Sequence, residues 1–490
     1  MSNSSLSRQL GLIGLIATGV CSMLGASINV VPFMIQRHVP GIGPYVIHAF
    51  IFAAIPALLA AMAYSMLATA MPRAGGSYIY ASRGLNPYLG FVASFSQWFG
   101  LSIVIGVVAY VTVPFLRDIL ENLGQADLAK ALEIGFARVS LALLMVWIFV
   151  WVNIKGAKSY EKTIIPLMIL MFLMGSVVIV AGFYFTQNDF VQSFQEKTGR
   201  LIATDGPTAF HFPTFLSAGA LLFASFIGFD SIAQAGGEAK DPANKLPLAI
   251  GLTILIVGGY YLFFTAAVYS TVPWSFVAEE AMTKDITAPG LLGYLLPSWL
   301  TVIIIAGAAI ALINDLPAML LSVSRLMFAW AEDGIFPKRI TKIHRQYQTP
   351  YLAIILSGIM ASMGIFGSHF AGDFFLGIDI MVTSMMVNFL MMCITLISIP
   401  KVNPTLSKEI KVFPSALGRK IIGWTGTSVL LAFLLIHTWK DLQSETGAWY
   451  FHSTPIWLIV MALASLIFYF KYQKMKKLGI DTETLFKKLP

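Results

Sequence analysis

Residues 212–238 read FPTFLSAGALLFASFIGFDSIAQAGGE, an apolar run long enough to cross a bilayer, with Asp230 well inside it. A carboxylate at hydrocarbon depth costs roughly 3 kcal/mol or more, so it normally faces a partner or a cavity. Two residues earlier stands Gly228, the residue type most willing to leave helical geometry. Where a membrane helix unwinds, its freed carbonyls and amides must be satisfied, and a polar ligand can do that. The plainer reading is a glycine that lets two helices pack closely, with Asp230 tied to a neighbouring hydroxyl. Gly228 and Asp230 together favour a binding site within a membrane span.

The rest of the chain fits a membrane protein. Of its 490 residues 57% are hydrophobic and only 11% charged, where a soluble domain carries about 25% charged. Apolar stretches predict twelve spans, near 10–35, 43–70, 88–115, 136–154, 163–186, 212–237, 246–272, 298–330, 352–368, 374–399, 420–438 and 455–471. The first is too long for a signal-peptide core and reads as a retained helix. Cys21 and Cys393 both fall inside apolar runs, so neither a disulfide framework nor a disulfide-linked partner chain is expected.

Charge sets the expected orientation. With the N-terminus inside, 24 of the 32 lysines and arginines fall on inner segments and eight on outer ones. That bias follows the positive-inside rule with both termini cytoplasmic, in what reads as a bacterial cytoplasmic membrane. The net charge of +8 is thus a topology signal plus a basic tail facing lipid, and no nucleic-acid partner is expected. The loop MPRAGGSYIY, residues 71–80, lacks a phosphate-cradling spacing after a strand, which argues against a nucleotide role.

The first span is interrupted as well. Gly19, Gly25, Ala26, Ser27, Asn29 and Pro32 crowd its second half, and Gly25 precedes Gly228 by 203 residues. Paired broken helices at matching places in two halves point to the central site of a transporter. Exposed amides there suit an anionic group and exposed carbonyls a cation or an ammonium, so a zwitterion can be held with few charged side chains. A face of small residues that only packs is the alternative. The eighth span carries Asn314-Asp315 with Pro317 just after, a second intramembrane carboxylate. Asp379 lies nearer the end of the tenth span, and an aspartate there can simply reach water; His48 reads as a structural histidine.

These pieces carry a resemblance. Gly25-Ala26-Ser27, Pro72 to Tyr78, Phe226-Ile227-Gly228-Phe229-Asp230 with Glu238 and Asp241-Pro242, and Ser324-Arg325 with Ala331 to Gly334 and Pro337 resemble the amino acid–polyamine–organocation permease family. The resemblance implies an all-α membrane fold of the leucine-transporter type, with ten helices in two inverted repeats of five and two further helices. The expected segments are 1–9, a first repeat over 10–186, a second over 212–399, helices 11 and 12 within 420–471, and a tail over 472–490. It also implies a substrate site formed by Ser22, Gly25, Ala26 and Ser27, by Phe223, Ala224, Phe226 and Gly228 with Asp230, and by Trp98 and Ser102. Ala311, Asn314 and Asp315 match the spacing at which sodium-coupled relatives of the fold bind an ion. Two departures stand out: Ser27 and Asn29 replace the family's usual glycine and phenylalanine, and the fifth span lacks the lysine of several proton-coupled members.

The expected function is secondary transport of an amino acid or related amine by alternating access. The predicted mode is symport with a proton or sodium, with exchange as the alternative. No cofactor is expected, and the partners are the small-molecule substrate and membrane lipid. A channel or receptor would favour polar rings or a ligand domain. An intramembrane enzyme would need a histidine partner or metal-ligand spacing around the carboxylates, and the sequence offers neither.

Overall fold

The computed structural model describes residues 6–202, 205–206, 208–371, 374–444 and 449–490. Among them there is no β-strand, only the isolated bridges Leu10–Ala239 and Ala74–Ala235. The first apolar run is cut into α1 (Leu12–Met23), α2 (Gly25–Asn29) and α3 (Val31–His38). There follow α4 (Val46–Ala70), α5 (Gly76–Gly84), α6 (Pro87–Asn122), α7 (Ala126–Glu133), α8 (Gly135–Ile154), α9 (Ala157–Tyr184) and α10 (Gln187–Thr198). The run around Asp230 is also cut, into α11 (Phe212–Leu222), a 3₁₀ turn (Phe223–Phe226) and α12 (Ser231–Gln234). Then come α13 (Pro242–Thr271), α14 (Trp274–Thr283), α15 (Ala288–Leu292), α16 (Ser298–Glu332), α17 (Tyr351–Ala371) and α18 (Phe374–Val402). The chain closes with α19 (Pro404–Lys408), α20 (Ala416–Gln443), α21 (Ser453–Lys477) and α22 (Thr482–Leu485).

Eleven helical segments among the described residues are long and apolar enough to cross a membrane, and the cut run α1–α3 supplies the twelfth apolar stretch. Burial sorts them. The apolar windows of α18 and α6 are 78% and 72% buried, whereas that of α9 is 22% buried, so α6 and α18 are central and α9 is peripheral. Leu173 and Val180 on α9 are exposed, as expected where hydrocarbon is the solvent. At 36 residues α6 spans about 54 Å, well over a hydrocarbon thickness of about 30 Å, so it is tilted or protrudes. It packs against α16, α17 and α18. Trp330 of α16 sits 5.3 Å from Phe91, 5.5 Å from Phe95 and 5.8 Å from Trp98, and its Nε1 donates to Ser94 Oγ at 2.9 Å.

Two buried ion pairs lie at one end of the bundle. Arg325 Nη2 of α16 donates to Glu238, just past α12, at 2.6 Å. Arg83 of α5 grips Asp333 through both terminal nitrogens at 2.5 and 2.8 Å, and Tyr78 Oη donates to the same carboxylate at 2.6 Å. Burial pushes the Arg83 guanidinium down, but its bonds to Asp333 hold it above its ordinary range. The end of the chain folds onto this pair. Arg83 Nε donates to the Lys488 carbonyl at 3.1 Å, and the guanidinium lies 5.5 Å from the Phe486 ring. At the other end α14 carries Glu280, which pairs with Arg200 at 2.6 Å and Lys284 at 2.5 Å.

Candidate functional site: two helix breaks and a buried carboxylate

The two interrupted helices meet at their interruptions. Gly228 has φ of +135°, and a side chain there would overlap the Ser22 carbonyl at the end of α1. Conformation and close approach both require glycine at this position. Ser22 Oγ and Ser231 Oγ, one from each broken run, are 3.0 Å apart. Tyr261 Oη of α13 donates to the Met23 carbonyl at 2.5 Å and so satisfies an acceptor that the break in α1 releases.

Helix α16 brings the carboxylate. Asp315 is buried, and its carboxyl group occupies the space that a side chain on Gly25 would take. Beside it Asn314 Nδ2 donates to Cys21 Sγ at 2.7 Å, while Asn314 Oδ1 has no hydrogen-bond partner among the described residues. Pro317 has no N–H to offer the carbonyl of Ile313 one turn back, so α16 has a released acceptor of its own here. At this junction lies a cavity of about 20 Å³. Ser22 and Met23 line it from α1, Val31 from α3 and Val104 and Val108 from α6. Ala224 and Ile227 line it from the second break, Asp315 and Met319 from α16, and Ile378 and Met381 from α18. That volume suits a single water, so a solute the size of an amino acid requires the walls to part.

The residues singled out from sequence fall in several places. Ser22, Ala224 and Asp315 share the cavity wall, and Gly25 and Gly228 form the breaks beside it. The backbones of Ala26 and Ser27 lie in α2, but their side chains lie outside the described residues. Ala311 lines a neighbouring cavity of about 10 Å³ together with Asn29 and Tyr260. Phe223 packs on Phe389 and Phe433, and Phe226 on Phe50 and Tyr261, away from the first cavity. Trp98 packs against Phe95 with the two rings tilted by 46°, and Trp98 Nε1 and Ser102 Oγ lack partners among the described residues.

Asp230 faces a different group of residues. Its Oδ1 accepts the Gly228 N–H at 3.2 Å, and its Oδ2 accepts from Gln97 Nε2. Gln97 Oε1 in turn accepts from Gln234 and from Asn388, each at 3.3 Å. The network extends through Asn388 to Tyr64 Oη at 2.6 Å and through Gln234 to Ser77 Oγ at 2.6 Å, with Tyr64 and Ser77 2.7 Å apart. It ties α4, α5, α6, α12 and α18 together by neutral polar groups around one carboxylate. Sequence reasoning missed Gln97, Gln234 and Asn388. The available signal was an amide inside an apolar span, which needs a partner as a charge does.

Chemically, the junction offers a carboxylate, a hydroxyl and unwound backbone in an apolar enclosure. That set suits a small cation or ammonium beside an anionic head group. Among the described residues there is no group of three or more His, Cys, Asp or Glu able to hold a metal.

A family model described as amino acid permease matches residues 10–468. A branched-chain amino acid permease of Bacillus subtilis is 25% identical over 371 residues, covering 73% of this chain and 74% of that protein. A low-affinity putrescine importer of Escherichia coli K12 is 25% identical over 373 residues, covering 74% of this chain and 76% of that protein. Cationic amino acid transporter 4 of Mus musculus is 25% identical over 372 residues, which is 74% of this chain but only 55% of that longer protein.

Proposed function

The chain belongs to the amino acid permease family, and from that premise we propose that it is a secondary active transporter of amino acids or related amines, driven by a coupled cation. The similar proteins named above are transporters of such solutes, and none is an enzyme. The observation that carries the proposal is the placement of the Asp315 carboxyl group in the gap left by Gly25, where the first apolar run is broken. A carboxylate placed there can share a proton or sodium ion with backbone carbonyls of the break. The substrate's charged head takes up the other backbone groups released at the two breaks. Binding of both draws α1 and α16 together in one state, and their release lets the walls part in the other.

We place the repeats over 10–186 and 212–399, as the family resemblance implies, and the ends of the chain in the cytoplasm, on the reading of charge given above. In that orientation the buried Arg325–Glu238 pair bridges α16 and the segment after α12 on the cytoplasmic side. It belongs to the closure that must open once per cycle. Purified protein in proteoliposomes tests the proposal. Imposed inward gradients of sodium or of protons, applied one at a time, drive accumulation of labelled amino acid above equilibrium in one of the two cases. Equilibration without accumulation under both gradients overturns coupling.

A further inference from the structure

We infer that the substrate is a zwitterionic amino acid with an aliphatic side chain, of the size of valine, leucine, isoleucine or methionine. The inference rests on the proposed transport function and on the two helix breaks as the place of the charged head.

The wall of the central cavity is sharply divided in chemistry. Ser22 and Asp315 supply its polar atoms, at the breaks, and the rest of the lining is aliphatic. Val104 and Val108 lie one turn apart on α6, Ile378 and Met381 come from α18, and Val31 and Met319 complete that surface. Burying an alkyl chain against these groups is favourable by about 0.8 kcal/mol per methylene. Burying a second charge among them is not, because a desolvated ion needs a partner.

A lysine, an arginine or a diamine brings two cationic centres into this space. The carbonyls released at the breaks answer one of them, and Asp315, the carboxylate on the wall, holds the coupling ion. Asp230, a few residues along the second broken run, is not on the cavity wall. Its oxygens accept from Gln97 and the Gly228 N–H, and Gln97 is itself bound to Gln234 and Asn388. Ala224 and Ile227 are what that run presents to the cavity instead. A diamine, lacking a carboxylate, also leaves the amides at the breaks unanswered.

Size is bounded by the same residues. The β-branched valines are stiff at χ1 and fix the part of the wall they form. Met23, Met319 and Met381 are flexible, so they can swing aside and enlarge a 20 Å³ cavity for a branched alkyl chain. An indole needs the stiff walls to move as well.

The test uses full-length protein in proteoliposomes, energised by whichever ion gradient supports uptake. Labelled leucine, lysine, phenylalanine and putrescine are offered separately, and leucine uptake is challenged with unlabelled valine, isoleucine and methionine. The expected result is leucine uptake that the three aliphatic competitors suppress and that lysine and putrescine do not. Val108→Ala and Met381→Ala, each removing wall contacts, are expected to raise the leucine KM by about 10-fold or more while keeping measurable uptake. Two variants are used so that one misfolded protein does not decide the matter. Lysine or putrescine taken up as well as leucine overturns the aliphatic class and leaves the transport reading standing. An unchanged leucine KM in both folded variants also overturns it, by removing the cavity as the side-chain site. No uptake of any of the four solutes overturns the transport reading, and this inference with it.

Discussion

Gln97 and Asp230 form the contact at which a single side chain decides how a buried charge is tolerated. Gln97→Leu removes the Nε2 donor and leaves Asp230 with the Gly228 N–H as the hydrogen bond described for it. We predict a loss of about 2–3 kcal/mol of stability in detergent, the usual cost of stripping a partner from a buried charged group. Asp230→Asn in the Gln97→Leu background should recover part of the loss, because a neutral amide is cheaper to bury. Thermal unfolding of the two single variants and the double variant checks this; strict additivity would remove the coupling between the residues. At this scale the sequence was informative about charge and backbone freedom. Gly25, Gly228, Asp230 and Asp315 stand out because each breaks a rule for apolar spans. What Asp230 touches did not stand out, since Gln97 and Asn388 lie in other spans and hydropathy marks a lone amide only weakly. The apolar wall residues Val104, Val108, Ile378 and Met381 were not legible at all. A valine lining a cavity and a valine facing lipid look alike in a run of valines.

Among elements, the long helices follow the apolar runs closely because bilayer thickness fixes the minimum length. The third run was read as 88–115, yet α6 continues to Asn122, carried past the hydrocarbon by polar residues that remain helical. The short helices α7, α10 and α14 were not read, since the reading tracked only stretches long enough to span. One of them was legible. Thr186 and Asp189 form a capping box at the start of α10, a pattern visible in sequence as Thr-x-x-Asp. Helix α14 supports a pH prediction through Glu280. Burial pushes its carboxyl up, but hydrogen bonds from Lys284 and Arg200 and their charges outweigh that and hold it below the ordinary glutamate range. A depressed carboxylate contributes stability fully above its unfolded pKa of about 4.3, and the contribution is lost as pH falls through the lower folded value. Both partners are half exposed, so the contribution is of the order of 0.5–1 kcal/mol. Glu280→Gln should therefore unfold at a lower temperature than the native protein at pH 7, with the gap closing below pH 4. A gap that widens in acid would contradict the assignment.

For the whole molecule, the charge split makes a claim about sidedness. With both ends of the chain in the cytoplasm, α10 is outside and the segment between α16 and α17 is inside. An impermeant maleimide applied to intact cells should label a cysteine introduced at Asn188 and spare one at Lys342; the reverse pattern would invert the topology. In that orientation the Arg325–Glu238 end faces the cytoplasm, and on the proposed transport function the cavity beside Asp315 is the place about which the two sides alternate. The most direct measurement of the account compares Asp315→Asn with the native protein in proteoliposomes, in two assays on the same preparation. One assay reads accumulation of labelled substrate driven by the coupling-ion gradient, and the other reads exchange of internal for external substrate without a gradient. Asp315→Asn is predicted to lose gradient-driven accumulation, together with its sodium or pH dependence, while exchange persists. Accumulation in Asp315→Asn with unchanged ion dependence would contradict the account.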